Sequence, residues 1–463
     1  MNNRLLQLRF KREARRTLTI GLPVMGAQLL QVSMMFVDTV MAGRYGSEDL
    51  AAVAVGSSLF FPVFVFFAGT LMSLSPIISQ LFGAKNFEDI GKNVRQAIWL
   101  GLLLSLPAML LLRNATPLLI QIGIEPELTE IAAGYLNAIS WGIPAAFFYS
   151  IFRYFCEALG DTKPPLFVAL IGLGFNIFFN YALIYGRFGF PELGAVGTGW
   201  ASAIVFWAMF LSMFIYVFFK KNYQRFELFS QLRLPEKRYV GEIVRIGIPI
   251  GISATMEVSM FAATALLIGT LGAEIIAAHQ IVINIASITF MIAFGLGTAI
   301  TVRVGHSIGQ NSPRTARFAG FTGIGLTAAM MLIPAMCFLL FPETLIGIYT
   351  NDISVIELGV PLIFMAAIFQ LSDGLQVAGS GALRGLKDTK IPMFANLVAY
   401  WIIGLPIGYY LGFMMDFGAP GLWIGLIAGL TAAAVFHTLR FHLLSGKLWK
   451  NKLTDPQLNG TST

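Results

Sequence analysis

Residues 34–43 read MMFVDTVMAG, which sets one carboxylate, Asp38, in a run that otherwise suits only an apolar solvent. The rest of the chain has the same character. Of 463 residues, 56% are hydrophobic and 12% charged, with 40 Phe, 19 Met and a mean hydropathy of +0.74. That exceeds what the core of a water-soluble domain needs, and it reads as an integral membrane protein. Cys156 and Cys337 sit far apart in apolar runs, give neither a disulfide framework nor a metal-ligand spacing, and read as small core hydrophobes. The start, MNNRLLQLRFKREARR, is charged but has no short apolar stretch ending in a cleavage site. It is expected to be a cytoplasmic arm and not a signal peptide.

A helix needs about 20 apolar residues to cross a bilayer. Twelve such runs occur, at 18–42, 51–82, 94–112, 131–157, 164–186, 194–219, 243–270, 276–308, 318–341, 358–384, 391–414 and 420–444. The fold class expected is therefore an all-α polytopic membrane protein. Lys and Arg stay on the cytoplasmic side near helix ends, and placing both termini there leaves only Arg44, Arg113 and Arg187 of 31 basic residues outside. The net charge of +7 thus reads as a topology signal and a match to anionic inner-leaflet lipid, with no sign of a nucleic-acid partner.

An internal repeat organises these runs. Ile20-Gly21-Leu22-Pro23 returns as Ile246-Gly247-Ile248-Pro249, and at constant spacing Ser33-Met34 matches Ser259-Met260, Gly43 matches Gly269 and Gly83 matches Gly309. Asp161-Thr162-Lys163-Pro164 recurs as Asp388-Thr389-Lys390-Ile391-Pro392. The chain is a tandem duplication of six helices. Since six is even, both copies enter the membrane from one side, and their pseudo-two-fold axis should run along the membrane normal. The expected organisation is an N-terminal arm (1–17), an N-lobe (18–219), a Lys/Arg-rich cytoplasmic linker (220–242), a C-lobe (243–444) and a cytoplasmic tail (445–463).

Setting aside charges near helix ends leaves three acids inside the spans: Asp38 in run 1, Glu257 in run 7 and Asp373 in run 10. On insertion scales each costs about 2.5–3.5 kcal/mol at a helix centre. The bland alternative is that each only accepts hydrogen bonds and holds helices together. The repeat argues against it, because Glu257 corresponds to Gln31, Asp38 to Thr264 and Asp373 to Ala146, whereas a symmetric structural role would place acids in both copies. Asn176 and Asn180, four apart, share one face of run 5. Two polar chambers follow: Asp38, Gln31, Asn176 and Asn180 in the first half, and Glu257, Asp373, Gln370 and Gln376 in the second. Glu257 and Asp373, at similar depth, are candidate Na⁺ ligands. Met34 and Met260 could line an adaptable pocket, and Pro23 and Pro249 occupy equivalent places where runs 1 and 7 could bend. His279 reads as a packing or capping group.

No P-loop, nucleophile elbow or metalloenzyme box is present, so neither a catalytic residue nor a cofactor is expected. Buried carboxylates without a fuel site point to transport coupled to an ion gradient.

IGLP with VDTVMAG, then Glu48-Asp49-Leu50-Ala51-Ala52, Gln80-Leu81-Phe82-Gly83-Ala84, Gly160-Asp161-Thr162-Lys163-Pro164 and Leu383-Arg384-Gly385-Leu386-Lys387-Asp388 together resemble the MATE (multidrug and toxic compound extrusion) family. The likeness covers nearly the whole chain and is greatest to the bacterial NorM branch, where an aspartate in helix 1, a glutamate in helix 7 and an aspartate in helix 10 are functional. Those positions map onto Asp38, Glu257 and Asp373, and the helix-5 asparagines onto Asn176 and Asn180. The resemblance implies two six-helix lobes forming a V. It also implies export of cationic amphipathic drugs in exchange for Na⁺ or H⁺, in the bacterial inner membrane, with no obligate protein partner. Some relatives carry an aspartate near Asn180 or a tyrosine where this chain has Phe369, so the coupling ion does not carry over with the family. The alternative is a flippase for lipid-linked or polysaccharide precursors, which would be expected to line its cavity with Lys or Arg. The orientation is checked by reporters active only outside the cytoplasm: silence after residue 230 and at the C-terminus, with activity near Asp352, is expected, and a signal from the 220–242 segment would overturn it.

Overall fold

The computed structural model describes residues 3–229 and 234–454; the parts of the arm, linker and tail at 1–2, 230–233 and 455–463 lie outside the described residues. In chain order the helices are α1 (Asn3–Tyr45), α2 (Ser47–Leu71), α3 (Leu74–Gly83), α4 (Phe87–Arg113), α5 (Thr116–Gln121), α6 (Pro126–Ser140), α7 (Ile143–Ala158), α8 (Lys163–Ile184), α9 (Gly194–Phe219), α10 (Lys237–Gly269), α11 (Ala273–Gly309), α12 (Pro313–Leu340), α13 (Pro342–Gly347), α14 (Ile353–Gly385), α15 (Lys390–Leu397), α16 (Leu405–Tyr409) and α17 (Gly418–Thr454). No strand occurs among the described residues. Eleven helical stretches are long and apolar enough to span a bilayer, and α6 with α7 makes a twelfth, bent by 46°. All twelve expected runs are therefore found. The bend falls at Trp141-Gly142, where the last turn of α6 meets Pro144 at the start of α7, which removes a backbone donor.

Two compact units emerge, and both cut across long helices. One gathers the first part of α1 to Met25, residues Ser79–Lys85 and the described chain from Ile252 onward; the other holds Gly26–Ile78 and Asn86–Gly251. Each cut falls two residues past one of the repeat-equivalent prolines, Pro23 and Pro249, which lie inside unbroken helices α1 and α10. In the first unit, α1 lies so close to α11 that a Cβ on Gly295 would stand 2.4 Å from Met25 Cγ. Arg303 of α11 also holds Glu13 of α1 through two bonds of 2.7 and 2.9 Å, the bidentate geometry that makes such pairs strong. In the second unit, a Cβ on Gly247 of α10 would stand 2.0 Å from the Thr70 carbonyl oxygen of α2. Only glycine permits that approach. The first unit is otherwise built around α14, packed on α11, α12 and α17; the second around α9, packed on α6, α7 and α8.

The repeated Asp-Thr-Lys segments close the same corner in each unit. Asp161 Oδ2, in the turn between α7 and α8, accepts bonds from Tyr216 Oη (2.9 Å), Tyr223 Oη (2.6 Å) and Lys220 Nζ. Asp388 accepts from Arg440 Nε at 2.5 Å and Nη2 at 3.2 Å. Partial burial raises the Asp161 carboxyl, but the bonds from Lys220, Tyr223 and Tyr216 outweigh it and hold it below the ordinary carboxylate range. A carboxylate so lowered contributes stability above its unfolded pKa and loses it as pH falls through the folded value. Asp161→Asn is expected to cost about 1–3 kcal/mol at neutral pH, read by thermal unfolding in detergent, with the gap to the parent narrowing below about pH 4. A gap independent of pH would show that the charge is not what matters.

Candidate functional site

Two acid clusters stand inside the spans, one in each unit. In the second unit, Asp38 sits on α1 opposite α8, whose four-residue spacing turns Asn176 and Asn180 to the same side. Asn176 Nδ2 and Asn180 Nδ2 donate to the same carboxylate oxygen, Asp38 Oδ1, at 2.8 and 2.6 Å. Both asparagines are buried, at 1% and 0% exposure, and Ser202 of α9 lies beside the same carboxylate. No basic side chain is among the groups bonded to Asp38. The spacing on run 5 thus does bring three of the four expected groups together. Gln31, two turns earlier on α1, faces Tyr149 of α7. Met34 is buried with its methyl group against Gly172 of α8.

In the first unit, Asp373 of α14 lies near enough to feel the charge of Glu257 of α10, on which the Arg384 guanidinium of α14 also acts. Gln376, one turn along α14 from Asp373, donates from Nε2 to Tyr400 Oη at 2.8 Å. Tyr400 and Gln376 both reach Glu257. Asp373 Oδ1 and Gln376 Oε1 are buried and have no hydrogen-bond partner among the described residues. Behind Gln376, the buried ring of His437 on α17 presents Nδ1 to the Gln376 carbonyl oxygen at 3.3 Å. Gln370, by contrast, is turned to α11 and donates to the Ala286 carbonyl at 3.2 Å. Met260 and Phe369 are packed in the hydrophobic core, and Phe369 meets the rings of Phe261 and Trp423. His279 accepts from Trp423 Nε1 at 3.2 Å, a packing role. No group of three or more His, Cys, Asp or Glu suited to a metal ion occurs among the described residues.

Sequence reasoning missed three groups. Tyr400 and Ser202 carry no pattern of their own and are found only by packing. Arg153 and Glu157 were set aside as lying near a helix end, yet they form a buried pair at 2.8 Å, with 8% and 1% of their side chains exposed. The signal for them was present: opposite charges four apart in the apolar stretch FFYSIFRYFCEAL.

Chemically, each cluster offers desolvated carboxylate oxygens beside neutral donors and oxygens, with one guanidinium, that of Arg384, set against the two acids of the first unit, an arrangement suited to a proton or a hard alkali cation. The comparisons agree with the fold. The MatE family model matches residues 23–182 and 249–410, the two copies of the repeat. The chain is 43% identical over 440 residues to the multidrug resistance protein PmpM of Pseudomonas aeruginosa, covering 94% of this chain and 92% of that one. It is 41% identical over 436 residues to the multidrug resistance protein NorM of Photobacterium profundum, with 93% and 95% covered. The crystal structure of the eukaryotic MATE transporter AtDTX14 superposes with a TM-score of 0.86 over 96% of this chain and 99% of that chain, at 21% identity. This is a multi-pass, all-α membrane protein with the MATE fold, and the chain belongs to the MATE family.

Proposed function

We propose that the protein exports cationic, amphipathic drugs from the bacterial cytoplasm across the inner membrane, in exchange for Na⁺ or H⁺, by alternating access, with both termini cytoplasmic. The observation that carries this reading is the setting of Asp38: a carboxylate within a membrane span, held by two amides and by no base. Its negative charge is available to a proton, an alkali cation or a drug cation, and these compete for one field. Binding one and releasing another then favours different conformations, which is the requirement for exchange. Glu257 and Asp373 are the second ion-coupling group. The names of PmpM and NorM, both multidrug resistance proteins, support the drug part of the reading. A phosphate-bearing lipid cargo would call for basic residues free to bind it, and buried Arg153 is already matched by Glu157.

Asp38→Asn keeps the shape and most of the hydrogen bonding but removes the charge. It should accumulate normally and lose ethidium efflux by about tenfold or more, while Asp38→Glu keeps part of it; normal uphill efflux by the asparagine variant would make the acid structural. Glu257→Gln and Asp373→Asn should each weaken Na⁺-dependent efflux more than thermal stability. Unchanged Na⁺ dependence in both would remove the second site.

A further inference from the structure

The stretch that carries Tyr400 is not α-helical. Between α15 and α16, residues Val398–Gly404 form a π-helix. Pro406 lies two residues past this stretch; it has no N–H, and its ring crowds the carbonyl four residues back, that of Ile402. The backbone widens there instead of continuing the i→i−4 ladder. Glycines let the widened segment stay against α17, where a Cβ on Gly425 would stand 2.5 Å from the Gly404 carbonyl oxygen. On this segment Val398, Trp401 and Ile402 face outward, while Tyr400 is wholly buried.

Tyr400 Oη accepts from Gln376 Nε2 and reaches Glu257, beside Asp373. Two buried atoms at this point, Asp373 Oδ1 and Gln376 Oε1, have no partner among the described residues, on side chains 2% and 3% exposed. The oxygens offered here are two carboxylates, one amide oxygen and one hydroxyl oxygen, and the Arg384 guanidinium acting on Glu257 offsets only one of the two acids. A proton needs a single carboxylate oxygen. An alkali cation stripped of water needs several oxygens, neutral ones included. The neutral pair is what separates the two cases.

We propose that Tyr400, aimed by the π-helical segment, is a cation-selecting residue. Its hydroxyl holds Glu257 in place and, with Gln376 Oε1, supplies the neutral oxygens through which the Glu257–Asp373 cluster takes Na⁺ in preference to a proton. The inference rests on the antiport reading above and deepens it.

The test uses full-length protein in liposomes and measures ethidium transport driven by a Na⁺ gradient alone and by a pH gradient alone. The readout is the ratio of the two rates. In Tyr400→Phe the ratio is expected to move about tenfold toward H⁺, and Pro406→Ala, which restores a backbone donor beside the π-helix without touching the cluster, should move it in the same direction. A merely structural tyrosine would lower both rates together and leave the ratio alone. A ratio within about twofold of the parent's in whichever variant accumulates overturns the proposal, however far the rates fall. A parent driven by H⁺ only also overturns it while leaving antiport standing; a parent driven by neither ion overturns the antiport reading itself.

Discussion

A carboxylate taken out of water must be met by donors or by a counter-charge, and this protein uses both solutions for different ends. Glu13 with Arg303, Glu157 with Arg153 and Asp388 with Arg440 are acids matched by a guanidinium. Each joins or stiffens helices, and none has charge to spare. Asp38 is met by amides alone. Glu257 and Asp373 share one cluster, on which a single guanidinium, that of Arg384, acts as a counter-charge to Glu257. Away from the helix ends, among the described residues, acid charge not matched one to one by a base is thus found at Asp38 and at the Glu257–Asp373 pair, one cluster in each compact unit.

The division into those units explains the prolines in a way that a bending role does not require. Neither Pro23 nor Pro249 breaks its helix, yet each marks where its helix passes from one compact unit to the other. The acids lie beyond these points, Asp38 on the part of α1 in the second unit and Glu257 on the part of α10 in the first. Each of these helices therefore joins an acid cluster in one unit to close packing in the other, at Gly295 for α1 and at Gly247 for α10.

Much of this was legible in the sequence because hydropathy reports directly on solvent. The twelve spans, the all-α class and the three acids follow from long apolar runs and from the cost of breaking them with charge. The meeting of Asp38 with Asn176 and Asn180 was legible because i,i+4 spacing fixes a shared face. What escaped depends on contacts between distant segments. Tyr400 sits in NLVAYWIIGLP, where nothing in the pattern singles it out; it falls on the buried stripe Pro392, Asn396, Tyr400, Gly404 and Gly408, and only packing brings its hydroxyl to Gln376 and Glu257. The crossing of α1 and α10 between units escaped because a duplication along the chain suggests that each copy closes on itself.

The repeat is most informative where its copies share geometry and differ in charge. In the register that pairs Asp161 with Asp388, Tyr149 pairs with Gln376, and Gln31 corresponds to Glu257. Gln31 faces Tyr149 in one unit, and Gln376 reaches Glu257 in the other. The same helix-to-helix contact is kept, built from neutral groups in the first copy and around a carboxylate in the second. In the first copy the acid has moved a further two turns along α1, to Asp38, and its partners have moved to α8. Duplication therefore supplied two equivalent scaffolds, and divergence put the charge at different positions in each. That removes the symmetry that would make the two clusters interchangeable, and it leaves the chain with two acid clusters of different composition: one carboxylate among amides, and two carboxylates with a hydroxyl.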